Sequence, residues 1–138
     1  MERKSKIRIL HTGDVHLDSP FSRLGSEKGA IRRRELRGVF TSMMLYAKTQ
    51  KADIVLISGD LFDVGFAGEE TVSLIIKEFA KAPECKFVIS AGNHDPYTEL
   101  SVWAQCKWPD HVHIFKKEYE CIVLEELGCR VHGGAFFA

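Results

Sequence analysis

The chain has 138 residues, 45% of them apolar and 28% charged, with 19 basic side chains against 19 acidic ones. That composition fits one globular domain with a sizeable core, and zero net charge argues against a uniformly basic coat while leaving a local groove open. No apolar run approaches the roughly 20 residues needed to span a bilayer, and Met1–Lys6 leads into a strand rather than a signal-type apolar stretch, so the expected location is cytoplasmic.

In chain order, Ile7–His11 reads as a buried strand and Gly13–Gly29 as a long polar loop carrying Pro20, Gly25 and Gly29. Ala30–Gln50 shows helical spacing, with Leu36, Phe40, Met43, Met44 and Ala47 on one face. Ile54–Ser58 is a second buried strand. Glu69–Lys81 is an amphipathic helix using Val72, Ile75, Ile76 and Phe79, and Pro83 closes it. Phe87–Ser90 is a third strand and Tyr97–Gln105 a short helix. Three strand-like pieces follow Trp108-Pro109, around Val112–Phe115, Tyr119–Leu124 and Arg130–Gly133. Strands alternating with helices predict an α/β fold, with a mostly parallel sheet built from βαβ units.

Three stretches run from apolar, β-branched residues straight into a glycine and a metal-competent side chain: Ile7–Asp14 (IRILHTGD), Asp53–Asp60 (DIVLISGD) and Lys86–Asp95 (KFVISAGNHD). A Gly corner turns sharply and lets other groups approach the backbone. In parallel sheets ligands bind beyond the carboxyl ends of strands, so Asp14, His16, Asp60, Asn93 and His94 share one rim. Asp14 and His16, two apart, suit one cation. Asp60 has two oxygens and can bridge two. Asn93 offers a neutral oxygen to the second, and His94 remains free to handle a proton. Two such ions clamp a phosphoryl group. Mixed oxygen and nitrogen donors favour Mn²⁺, Fe²⁺ or Zn²⁺ over Ca²⁺.

HTGDVHLDSPF, SGDLFD and AGNHDP resemble the first three motifs of the calcineurin-like metallophosphoesterases. Within them the chain is most similar to the DNA-repair exonuclease branch, which includes the nuclease subunit of the SbcCD complex. The His11-Thr12 lead-in, the Leu17–Phe21 tail, and Trp108-Pro109 followed by Val112 support that branch. The resemblance implies a four-layer αββα fold in which Asp14 and His16 bind the first metal, Asp60 bridges, Asn93 binds the second and His94 donates the proton. It also implies two divalent ions, usually Mn²⁺, phosphodiester hydrolysis, action on DNA, and a coiled-coil ATPase partner. The family's later motifs, an isolated histidine and a Gly-His-x-His corner, are not matched by His111, His113 or His132. Residues 1–138 therefore read as the truncated, N-terminal part of a single metallophosphoesterase domain. Weak metal binding, little activity and self-association through an uncovered sheet face are expected of them. The motifs leave open a small phosphate ester or cyclic nucleotide as substrate, or a non-catalytic binding module.

The remaining residues read as follows. Asp18, Asp63 and Asp95 are expected as helix N-caps or as partners that steady ligands. His11 is expected as a buried, hydrogen-bonded strand residue; His111, His113 and His132 receive no role. Residues 20–40 carry a net +4, with Arg23, Lys28, Arg32, Arg33, Arg34 and Arg37 against Glu27 and Glu35, which suits either phosphate contacts or a solvated helix face. Tyr97, Trp103 and Trp108 read as packing residues. Cys85, Cys106, Cys121 and Cys129 show no C-x-x-C pair and read as reduced structural thiols.

Overall fold

The structure is a computed structural model that describes residues 5–63 and 67–137. Four parallel strands, β1 (Ile9–Thr12), β2 (Ile54–Ser58), β3 (Lys86–Ser90) and β4 (Val112–Ile114), lie side by side in chain order. The register sets Ile9 beside Ile54 and Ile54 beside Lys86, so the three strands leading to the Gly corners end level. The connections between them carry α1 (Gly25–Thr49), α2 (Glu69–Ala80) and the single turn α3 (Val102–Gln105).

Strand faces decide the layering. Val55, Ile57, Phe87 and Ile89 meet Phe40, Met44 and Ala47 of α1 and Ile75 and Phe79 of α2 in one core. Phe40 and Phe79 are fully buried, and a side chain of that size contributes about 2–3 kcal/mol on leaving water. The opposite face of the sheet, through Ile54, Leu56 and Val88, packs on Leu124, Leu127, Ile122 and Val131. Those residues come from an antiparallel hairpin, β5 (Glu120–Leu124) and β6 (Cys129–Gly133), turned through a 3-10 segment at Glu125–Leu127. The parallel α/β architecture is as the sequence predicts, with the hairpin as a separate two-stranded sheet.

The chain leaving β6 returns to the rim. Phe136 donates its backbone N–H to the Ala91 carbonyl at 2.9 Å and accepts from the Tyr97 N–H at 2.8 Å, which straps the third corner from outside.

Three local expectations need correcting. The stretch read as a loop up to Gly29 already contains a 3-10 turn at Ser22–Leu24 and the first turns of α1. Gly29 breaks nothing: it is where α1 passes closest to the first corner, and a Cβ there would lie 2.9 Å from the Pro20 carbonyl oxygen. The Tyr97–Gln105 helix shrinks to Val102–Gln105, because a turn from Thr98 to Ser101, closed by the Ser101 side chain, occupies its first half. β1 is an edge strand and only half covered, with Ile9 55% exposed. His11 is accordingly exposed rather than buried, although its Nε2 does meet Ser58 Oγ at 2.8 Å.

Candidate metal centre

Beyond β1 and β2 the two chains keep running together. Asp14 N–H donates to the Gly59 carbonyl at 3.0 Å, His16 N–H to Asp60 at 2.9 Å, and Leu17 N–H to Leu61 at 2.9 Å. This ladder fixes the first two corners against each other. Asp14, His16 and Asp60 all adopt left-handed backbone, with φ of 52°, 53° and 55°. Residues other than Gly rarely do so, Asp, Asn and His most readily, at a cost of about 1–3 kcal/mol each. The run Asp14-Val15-His16-Leu17 therefore aims Asp14 and His16 outward while Leu17 is fully buried.

The third corner docks on the second. A Cβ on Gly59, whose φ is +88°, would sit 3.2 Å from Gly92 Cα, and one on Gly92 would sit 2.6 Å from the Asp60 nitrogen. No side chain fits there. Gly92→Ala is expected to destabilise the fold by about 1–3 kcal/mol and to displace Asp60. Urea unfolding checks this, and an unchanged midpoint would contradict the packing described.

Into this frame the side chains converge. His16 Nε2 lies 3.9 Å from Asp14 Oδ1 and 3.8 Å from Asp60 Oδ2. All three donor atoms fall within 4.8 Å of one another, a spacing that could hold a metal ion. The other side of the His16 ring is fixed by Asp63, whose Oδ1 is 3.1 Å from Nδ1. A carboxylate on one ring nitrogen sets the tautomer that leaves the other nitrogen's lone pair for a cation. Asp60 uses its second oxygen, Oδ1, to accept the His94 N–H at 2.8 Å. His94 Nδ1 stands 3.2 Å from the same Asp63 oxygen, and its ring meets that of His16 edge-on at 5.0 Å. His16, Asp63 and His94 form a second group with metal-competent spacing. Asn93 is exposed in the same corner, beside His94.

The donor chemistry fits a divalent cation. Two carboxylates and an imidazole face one point, held there by strained backbone and by Asp63. Burial pulls the His16 pKa down, but the hydrogen bond to Asp63 and the charges of Asp63, Asp60 and Asp14 outweigh it, so the ring titrates above the ordinary 6.5. The sign of the linkage follows. The protonated ring's stabilisation is complete below about 6.5 and is lost as pH rises through the higher folded value. Without metal, stability relative to His16→Asn should fall as pH rises over that window, while Mn²⁺ affinity should climb as the competing proton leaves. Melting curves in chelator and calorimetric titrations at several pH values measure the two slopes; equal melting behaviour of the two proteins across pH would contradict it.

Asp95 is the residue whose weight the sequence conceals. It is completely buried and caps no helix. Its Oδ1 accepts from Gly92 N–H at 2.7 Å and Asp60 N–H at 3.0 Å, and its Oδ2 from Leu61 at 2.7 Å and Phe62 at 3.4 Å. Burial pushes its pKa up, against the downward pull of those four donors. One carboxylate thus ties the second corner to the third. Asp63 caps no helix either, since α2 begins at Glu69 with Gly68 as its N-cap. Asp18 works in a similar way to Asp95, accepting the Gly68 N–H at 2.8 Å and the Arg37 guanidinium at 3.4 Å. The only hint in the sequence is that each of these acids stands one to four residues past a corner residue.

Of the basic stretch, Arg32 pairs with Glu35, Arg33 holds the Pro20 carbonyl and Arg37 holds Asp18, while Arg23, Lys28 and Arg34 are exposed. Trp103 and Trp108 stack in the core at 5.4 Å, as packing residues.

A parallel sheet whose three Gly corners gather carboxylates and imidazoles at one rim is the frame of an α/β domain with a candidate metal centre. The sequence pattern of the calcineurin-like phosphoesterases matches residues 7–137, and the chain belongs to that family. It is 32% identical over 114 residues to the uncharacterized metallophosphoesterase YhaO of Bacillus subtilis, covering 79% of this chain and 28% of that protein. It is 29% identical over 97 residues to the SbcD subunit of the nuclease SbcCD of Escherichia coli, covering 69% of this chain and 23% of that protein. It is also 28% identical over 93 residues to the DNA double-strand break repair protein Mre11 of Sulfurisphaera tokodaii, covering 66% of this chain and 23% of that protein. The chain spans about a quarter of the length of these relatives. Among the described residues no helix is long and apolar enough to cross a membrane.

Proposed function

We propose that Asp14, His16 and Asp60 hold one divalent cation, that Asp60 and Asn93 contribute to a second, and that His94 supplies a proton during phosphodiester hydrolysis. The convergence of the Asp14, His16 and Asp60 donor atoms within 4.8 Å carries this reading. When bound, divalent cations supply Lewis-acid stabilisation of a phosphoryl group and a nucleophile at neutral pH. The chain's own residues do the rest. Asp63 orients both imidazoles, Asp60 is held by the His94 N–H, and the half-exposed His94 ring is open to solvent. An imidazole there can protonate a departing alkoxide.

DNA is the substrate favoured by the SbcCD and Mre11 relatives, with exposed Arg23, Lys28 and Arg34 offered to the phosphate backbone, in a cytoplasmic setting. A coiled-coil ATPase subunit and a second copy of the chain are the partners in this reading. The sheet face expected to lie open is covered by the hairpin, so self-association is proposed at the β1 edge, where Ile9 is exposed. Mn²⁺ is the proposed ion, with Fe²⁺ or Zn²⁺ as substitutes. Among the described residues Asp60 and Asn93 are the two proposed for the second ion, and with so few ligands slow turnover is expected of this chain.

The test is calorimetric titration with Mn²⁺, followed by hydrolysis of linear duplex DNA, bis-p-nitrophenyl phosphate and p-nitrophenyl phosphate. Slow diester cleavage that disappears with chelator and in His94→Ala supports the proposal. Absence of Mn²⁺ binding would sink it, and preference for the monoester would move the substrate away from DNA.

A further inference from the structure

The outer face of the hairpin carries a second cluster of reactive side chains, away from the rim. β5 and β6 pair Cys121 directly with His132. The alternation along the strands puts Cys121 and Val123 of β5 and Arg130 and His132 of β6 on that face, with Tyr119 immediately before β5 beside them, all exposed. Cys121 Sγ lies 3.9 Å from His132 Nε2, and His132 Nδ1 lies 2.6 Å from the Tyr119 hydroxyl oxygen. The two rings stack at 5.9 Å. This is the arrangement of an activated nucleophile: a thiol, a base in reach, and a third group orienting the base.

We infer that Cys121 is a site of thiol–disulfide exchange with small-molecule disulfides of the glutathione class, with His132 as its base and Tyr119 as the residue that positions the base. With His132 Nδ1–H donating to the Tyr119 oxygen, Nε2 presents its lone pair to the thiol. Nε2 takes the thiol proton as the Cys121 sulfur attacks one sulfur of the incoming disulfide. That S–S bond breaks while a new one forms to Cys121, and the departing half leaves as a thiolate that collects the proton from the imidazolium. Cys121 and one half of the small disulfide end as a mixed disulfide; the other half is reduced to a thiol. Arg130, diagonal to Cys121 on the same face, offers a cation to the carboxylates of a glutathione-like partner.

The other cysteines provide internal comparison. Cys85 is buried with its thiol on the Ala52 carbonyl at 3.0 Å, and Cys106 and Cys129 are half-buried. The chain is incubated with glutathione disulfide at neutral pH, and separately with iodoacetamide, and each cysteine is followed by peptide mass mapping. Cys121 is expected to react first, and His132→Gln to slow it by roughly tenfold while Cys106 and Cys129 keep their rates. Those two rates also report whether the variant is folded. Should they rise, Tyr119→Phe replaces it, with about a threefold slowing expected at Cys121 alone. Reaction at Cys106 or Cys129 as fast as at Cys121, or a Cys121 rate indifferent to the substitution used, overturns the inference.

Discussion

Asp60→Asn should lower Mn²⁺ affinity by at least about a hundredfold, equivalent to roughly 2.7 kcal/mol, while leaving the metal-free melting temperature within a few degrees of the original. The substitution is close to isosteric. Asparagine tolerates the left-handed backbone that residue 60 adopts at φ 55°, and its amide oxygen can still accept the His94 N–H. What disappears is the negative charge that faces His16 Nε2 at 3.8 Å and that a bridging position requires. Calorimetry with Mn²⁺, set beside melting curves in chelator, separates the two effects. Affinity unchanged within threefold would remove Asp60 from the centre, and with it the case for metal at this rim.

Asp95→Ala is expected to act on the fold itself, at about 3–5 kcal/mol. Four backbone N–H groups, those of Gly92, Asp60, Leu61 and Phe62, would lose their acceptor in a fully buried place that water does not reach. A domain of this size has a total stability of order 5–15 kcal/mol, so the variant should be marginal at 37 °C. Asp95→Asn should fall between the two, since its amide keeps one acceptor oxygen but turns an N–H₂ toward the other pair of donors. Urea denaturation of the three proteins gives the order directly. Midpoints that coincide would mean that the two corners are held by other contacts.

Much of the architecture could be read from the sequence because it rests on local patterns. Buried β-strands such as Ile54–Ser58 are nearly all apolar, and the α1 stripe Leu36, Phe40, Met43, Met44 and Ala47 repeats at helical spacing, so both announce themselves. The corner residues stand out in the sequence for a different reason: Gly-Asp alone is common, but Gly-Asn-His-Asp is rarer, and three such corners in this order with a helix in each gap form a strong pattern. What escaped depends on contacts between distant segments. Gly25 and Gly29 look like loop punctuation, and only the approach of α1 to the Pro20 carbonyl explains Gly29 within a helix. His11 sits in an apolar strand, and its exposure follows from β1 being at the sheet edge, which local sequence does not encode. Asp95 resembles any turn aspartate until Asp60, Leu61 and Phe62 are brought to it from 33 to 35 residues away.

The strap from β6 to the third corner has a consequence for the order of events during synthesis. Ala91 and Phe136 stand 45 residues apart, the same separation as Ile9 and Ile54 in the β1–β2 pair, so the strap closes a loop no longer than a βαβ unit and differs in lying later in the chain. The nascent protein can therefore assemble its first strands and helices while the outer wall of the rim is still missing. The rim is walled in only after the three strands that end at it have been made.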